Sequence, residues 1–269
     1  PLVLDQLTNE SKILLDWIKN NQLKANPDKF HLILSENDTS ISIEIADFII
    51  ENQQSAKLLG IRIDNKLTFN KHVSNLCSKA SQKLHALARV RSYMSMKQSK
   101  IIMKTFILSH FGYCPLIWMM HSRSLNNRIN RIHERALRLV YKDDISSFSE
   151  LLEKDKSFTI HERNIQTLAI ELFKVVNHLS PKIMELVFPL KEKVRYPNEN
   201  LFKSKKIKTV SWGNSNLAYL GPRIWDIIPQ EIKKEVDLVI FKKKIRQWKP
   251  SGCPCRICKK FVLGLGFIS

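Results

Sequence analysis

Leu58-Leu59-Gly60-Ile61-Arg62-Ile63-Asp64-Asn65-Lys66-Leu67-Thr68-Phe69-Asn70-Lys71-His72-Val73 marks the point where the hydrophobic period of this 269-residue chain changes. Upstream lie short β-type runs: Phe30 to Leu34, Ile41 to Ile45 in strict alternation, Phe48 to Ile50, and Lys57 to Ile63. The polar segment Ser35 to Ser40 reads as the hairpin loop between the first two, and a small antiparallel sheet is expected. Ahead of it, Leu7, Leu14 and Ile18 around Trp17 predict a short helix over 8–22, stopped at Asn20-Asn21, and Pro27 forces an extended entry. Downstream, Val73, Leu76, Cys77, Ala80, Leu84 and Leu87 recur at i, i+3, i+4, i+7, which predicts a helix over 70–91. Further helices are expected over 97–110, 115–121, 123–141, 147–153, 160–178 and 181–187. Another is expected over 237–248, with Asp237 as N-cap and Phe241, Ile245 and Trp248 on one face. Residues 189–223, broken by Pro189, Pro197, Gly213, Gly221 and Pro222, read as an irregular connector.

The expected fold is therefore α+β and mainly helical, in three parts. Residues 1–69 form the small sheet, 70–188 a helical bundle, and 189–269 an irregular basic extension with a cysteine cluster. With 43% hydrophobic and 26% charged residues, 7 Gly and 10 Pro, the composition is that of a folded domain. The formal charge of +19 points to a polyanionic partner, because a cationic surface releases the counterions that phosphates condense. Its distribution sharpens this. Residues 1–70 carry 7 basic against 10 acidic side chains, 71–190 carry 19 against 9, and 191–269 carry 18 against 6. Positive charge starts with the long helices, so they are the expected nucleic-acid-facing region.

No run approaches the ~18 apolar residues that span a bilayer, and the N-terminus lacks the layout of a signal peptide. No membrane partner is expected. Five cysteines, an odd number, suit reduced thiols rather than a disulfide framework. An intracellular location, nuclear or cytoplasmic, follows as an expectation. The first residue is Pro rather than Met, which fits a fragment, a truncated gene product or a trimmed chain.

Tyr141-Lys142-Asp143-Asp144 matches the Y-x-D-D string in which reverse transcriptases hold catalytic carboxylates. Two-metal nucleotidyl transfer needs such an Asp pair on a β-hairpin, converging on ions roughly 3.5–4 Å apart. Here the string ends a predicted helix, so Asp143 and Asp144 are assigned to a helix-helix loop and no catalytic residue is assigned. The helix itself is more informative. Arg128, Arg131, Arg135 and Arg138 fall within about 80° of one another at ~100° per residue, beside an apolar stripe of Leu125, Ile129, Ile132, Ala136 and Leu139. Arg bonds phosphate bidentately, so this row is a candidate backbone-contacting surface. The alternative is pairing within the chain to Glu134, Glu150 or Glu153. Lys79 and Lys83 on the preceding long helix, and Lys203, Lys205 and Lys206 in a basic run with Lys208, extend the candidate set.

Cys253-Pro254-Cys255-Arg256-Ile257-Cys258 offers three thiolates where a structural zinc site takes four ligands. No His follows, and the nearest preceding one is His178, so the fourth ligand has to be Cys77, Cys114, a distant His or a second chain. No metal site is assigned, and Cys253, Cys255 and Cys258 are the nearest approach to one. His72, His133 and His161 are read as lining helices, and the five Trp as packing anchors.

Taken together, the motifs resemble the reverse transcriptase of a non-LTR retrotransposon (LINE) of the jockey-like kind, over nearly the whole chain. Leu23-Lys24-Ala25-Asn26-Pro27-Asp28-Lys29 resembles the segment after the catalytic hairpin, with Lys29 at the lysine position that the family uses beside the leaving pyrophosphate. Leu58 to Ile63 resembles the primer-grip strand, which implies that Leu59 and Gly60 approach the primer end. Ser109 to Trp118, Ile129 to Tyr141 and Ile160 to Lys174 look like successive thumb helices. Gly221 to Pro229, Phe241 to Trp248, the cysteine cluster and Leu265 to Ile268 match the closing segments of such elements.

The resemblance implies the C-terminal part of an RNA-directed DNA polymerase: a palm remnant with a primer-grip-like strand, a helical thumb and a basic extension. It implies nucleic-acid partners, an RNA template and a DNA primer. It also implies Mg²⁺ for a full-length parent enzyme and no cofactor for this chain. Fingers, aspartate strands and endonuclease are missing from these residues, so the chain alone is expected not to synthesise DNA. The rival expectations are a non-catalytic nucleic-acid-binding protein derived from a mobile element, and a helical scaffold whose charge serves solubility.

Overall fold

The computed structural model describes residues 2–35, 41–45, 48–191, 201–203, 216–255, 257–258, 260–262 and 266–268. The chain divides into two compact units, Pro1–His72 and Val73–Ser269. Helices dominate, and the described strands form three two-stranded antiparallel sheets, so the α+β, mainly helical class holds.

The first unit begins with α1 (Leu2–Asn20) and continues into two hairpins, β1 (Ser42–Ile45) with β2 (Phe48–Glu51), and β3 (Ser55–Leu58) with β4 (Ile61–Asp64). Ile43 pairs with Ile50 and Ile45 with Phe48. The period of two sends Ile43 and Ile45 inward, where they bury with Leu32 and Ile50 against Leu4 and Leu15 of α1. Three expectations change here. The run Phe30 to Leu34 supplies a single parallel bridge, Leu32 to Asn52, rather than a strand paired with Ile41 to Ile45. A connection of two residues closes β1 onto β2 instead, because the shortest loop costs the least chain entropy. α1 turns Leu4, Thr8, Ser11, Leu15 and Ile18 inward and leaves Leu14 and Trp17 exposed, so of the expected apolar face only Ile18 points that way.

Lys57 to Ile63 is the third change: it is a hairpin and not one strand. Leu59 and Gly60 form its two-residue turn with φ of 47° and 88°. Two consecutive positive φ values define the mirror-image turn whose twist suits a hairpin, and this requirement accounts for Gly60. Asp64 then organises the exit, its carboxylate accepting from Thr68 N at 2.9 Å and Phe69 N at 2.7 Å. α2 (Asn70–Val90) starts directly afterwards.

The second unit is built around α7 (Ile160–Val176), reached through α3 (Met96–Ile102), α4 (Pro115–Trp118), α5 (Arg123–Tyr141) and α6 (Phe148–Asp155). Four further helices follow: α8 (Lys182–Val187), α9 (Leu217–Ile227), α10 (Gln230–Lys233) and α11 (Leu238–Ile245). A last hairpin, β5 (Lys260–Val262) with β6 (Gly266–Ile268), closes the described chain. Ser122, Ser147, Thr159 and Asp237 cap α5, α6, α7 and α11, each accepting a backbone N–H that the first turn leaves without a partner. Leu168, Leu172 and Phe173 of α7 bury against Leu220, Ile224 and Trp225 of α9 and Phe241 and Ile245 of α11. Phe173 stacks on Phe241 at 4.1 Å. Each such side chain contributes about 1.5–3 kcal/mol on burial, which makes α7 the spine of this unit.

The expected helix over 97–110 is α3 followed by a π turn at Met103–Ile107 and a 3-10 turn at Leu108–Phe111. Thr105 Oγ1 and Ser109 Oγ each bond the carbonyl four residues back, a habit that bends helices. The expected connector ends earlier than Pro222, which lies inside α9. Gly221 explains why a helix forms across two breakers. A Cβ there would lie 2.4 Å from the Phe188 ring, so α9 packs on Phe188 only where position 221 lacks a side chain.

Candidate nucleic-acid interface

α5 carries the predicted arginine row. Ile129, Ile132, Ala136, Leu137 and Val140 are buried on one side, while Arg128, Arg131 and Arg135 are exposed. Arg138 departs from the row. It is half-buried, bonds Glu134 at 2.7 Å and donates to the Asp143 carbonyl at 3.3 Å, so it joins the helix to its own C-terminal loop. Arg131 and Arg135 make no ion pair among the described residues, and Arg128 donates to Ser78 Oγ of α2 at 3.4 Å. Lys79 and Lys83 lie ~100° and ~140° round α2 from Ser78, on the side of His110, whose pKa they depress after burial does so first. They therefore do not continue the α5 row.

A second basic surface is assembled from remote segments. A cleft of about 730 Å³ lies between the π turn, the end of α6, α7 and α11. Lys104, Lys156, Arg163, Lys174, Lys242 and Arg246 line it, with Asp155 and Glu171 as its only acids among the described residues. Neither acid neutralises it. Glu171 is paired to Lys174 at 2.7 Å, and Asp155 faces Lys100 at 2.6 Å while accepting from Tyr141 Oη at 2.8 Å. Burial alone would raise the Asp155 pKa, yet the hydrogen bonds from Lys100 and Tyr141 win and hold the carboxyl below its ordinary value. Lys104, Lys156, Arg163, Lys242 and Arg246 form no ion pair within the described residues. Arg163 is half-buried, and burial pulls its pKa below the usual guanidinium value against the pull of Asp155 and Glu162. A partly desolvated guanidinium without a bonded anion gains most from a phosphate.

The spacing that builds this wall is present in the sequence: Arg163, Thr167, Ile170 and Lys174 on α7, and Lys242 of α11 with Arg246 at its C-cap. No segment contributes more than two cations to it, so no local charge run marks it. The other candidates are dispersed. Lys29 is exposed in a 3-10 turn (Pro27–Lys29) capped by Asn26, and Leu59 and Gly60 are exposed at the β3–β4 turn, all within the first unit. Lys203 is exposed beside the Leu190–Phe202 bridge, and Lys205 and Lys206 lie outside the described residues. Tyr141 to Asp144 closes α5: Lys142 takes the left-handed cap at φ 54°, and Asp143 accepts from Ser146 N at 3.0 Å and Lys154 Nζ at 2.9 Å. Those bonds, the Ser146 backbone first, lower the Asp143 pKa.

The cysteine tail has a partner that spacing did not reveal. His161, the second residue of α7, brings its Nε2 to 3.2 Å from Cys255 Sγ. One ligand atom each from His161, Cys253, Cys255 and Cys258 lies within 4.8 Å of the others, and all but Cys258 are buried. Cys77 and Cys114 take no part. Hydrogen bonds from the Cys253 and then the Cys258 thiol lower the Cys255 pKa. The Cys253–Cys255 contact comes first in pushing Cys253 up to about 12, against a smaller lowering by Cys258, and bonds with Cys253 and then Cys255 raise Cys258.

No family model matches the chain, and no solved structure does. Two proteins of Drosophila melanogaster are similar to it. A probable RNA-directed DNA polymerase from transposon BS is 28% identical over 134 residues, 47% of this chain and 15% of that protein. A probable RNA-directed DNA polymerase from transposon X-element is 28% identical over 130 residues, 46% of this chain and 14% of that protein. Each matched stretch thus spans about one seventh of the relative's length.

Proposed function

We propose that this chain, a relative of retrotransposon RNA-directed DNA polymerases, holds the primer-template duplex through its phosphates, as a thumb does, and does not itself polymerise. The observation that carries the reading is the cleft beside α7, where five cations without ion pairs among the described residues converge from four segments. Such a surface reads backbone rather than bases, so it binds RNA–DNA hybrid without sequence preference. The exposed Arg128, Arg131 and Arg135 provide a second, flatter contact. No Asp pair on a hairpin facing a third Asp occurs among the described residues, and two-metal transfer depends on that arrangement.

The test is hybrid binding by the 269-residue chain and by K104E/K242E/R246E. The variant should lose most of the salt-sensitive affinity. An affinity unaffected by it would favour the helical scaffold. Template-dependent incorporation by the purified chain with Mg²⁺ would overturn the non-catalytic half of the proposal.

A further inference from the structure

We infer that His161, Cys253, Cys255 and Cys258 form a structural zinc site that fastens the C-terminal tail to the first turn of α7. Four soft or borderline ligand atoms converge within 4.8 Å, from positions as far as 97 residues apart in sequence. A regular zinc tetrahedron with thiolate bonds near 2.3 Å has edges of about 3.8 Å, so the group needs only a small contraction to close on an ion. Three thiolates and one imidazole complete a closed structural set with no position left for a substrate. The donors also narrow the metal. Thiolate excludes Mg²⁺ and Ca²⁺, and a mixed Cys₃His set suits Zn²⁺ better than an iron–sulfur cluster, which is held by four thiolates as a rule.

The surroundings support a built site rather than buried thiols that happen to touch. The capping box of Thr159 and Glu162 fixes the turn that carries His161, with Thr159 Oγ1 and the Glu162 carboxylate satisfying each other's backbone N–H. Gln166 Nε2, one turn further along α7, donates to the Trp248 carbonyl at 2.8 Å and holds the chain where it leaves α11 for the cysteines. The tail is thus delivered to His161 by contacts that do not involve sulfur. His161 Nδ1 is buried and has no partner among the described residues, which leaves the ring free of a competing hydrogen bond there that would hold it elsewhere. Three thiols this close cannot all ionise side by side, and a dication removes that conflict by taking all three as thiolates and releasing their protons. Burial of Cys253 and Cys255 in the same apolar cluster as Leu168, Leu172 and Ile257 keeps water from two of the thiols, while Cys258 is exposed.

The inference is independent of nucleic-acid binding. The purified chain, dialysed after expression with zinc, should carry one zinc per molecule by elemental analysis. His161→Ala and Cys255→Ser should lose it, His161→Cys should keep it, and Cys77→Ser and Cys114→Ser should be unchanged. Cobalt replacement should give the visible bands of tetrahedral cobalt thiolate. The wild-type chain supplies a second readout that does not depend on the folding of any variant. Removing zinc with a chelator should expose Cys253, Cys255 and Cys258 to alkylation at least tenfold faster, and adding zinc back should protect them. Substoichiometric zinc in the wild type, zinc retained by both His161→Ala and Cys255→Ser, or alkylation indifferent to zinc would each overturn the inference.

Discussion

The α5 arginine row and the cleft beside α7 are both basic, but they differ in how the charge is held. On α5, three guanidiniums stand in solvent along one helix, and the fourth, Arg138, is tied to Glu134. Around α7, cations from the π turn, α6, α7 and α11 surround a concavity, and Arg163 has lost part of its water. Coulomb attraction is weak at exposed sites and stronger where low-dielectric walls exclude solvent. Charge density along a sequence therefore says less about a phosphate site than the geometry that gathers charges from several segments.

The largest expected effect separates the two surfaces directly. K104E/K242E/R246E should weaken hybrid binding roughly 100-fold or more at low salt, whereas R128E/R131E/R135E should cost on the order of tenfold. Equal losses, measured by fluorescence anisotropy, would break the distinction. Next in size is Asp155→Asn, which strips Lys100 of its counter-charge where α3, α5 and α6 meet. Since Lys100 is partly exposed, a loss of about 2 kcal/mol is expected in chemical denaturation. Gly221→Ala presses a methyl group into Phe188 beneath α9 and should cost about 1–3 kcal/mol. It disturbs the α7 side without touching α5, so hybrid binding through the α5 row should persist.

A further effect is one of pH. His133 on α5 is buried against the Phe148 ring, and burial, aided by Arg163, lowers its pKa to about 3. The unfolded imidazole takes a proton near 6.5. Below that pH the unfolded state binds more protons, so stability should be full above about pH 6.5 and fall as pH drops toward 3. His133→Leu should flatten this slope in thermal melts. An unchanged slope would assign the acid sensitivity to other groups.

Much of this was legible before any coordinates. The change of period near residue 70, the limits of α2 and α5 and the Asp237 cap follow from apolar spacing and capping chemistry, both local. What escaped was non-local or turned on one atom. Leu58 to Ile63 alternates as a strand should, and only the backbone at Leu59 and Gly60 shows the turn. Gly221 and Pro222 read as breakers because Phe188, whose ring requires a glycine, sits 33 residues away. His161 lies 92 residues before Cys253, and no spacing rule joins a ligand on a helix to a tail that folds back over it.

The central claim is that phosphates are held by the cations of the cleft, and the salt dependence of hybrid affinity tests it most directly. Five engaged cations predict a log–log slope near −4.5, at about −0.9 per phosphate neutralised. The slope should shrink by roughly three units in K104E/K242E/R246E. A wild-type slope near zero, or one that the triple reversal leaves intact, would contradict the account.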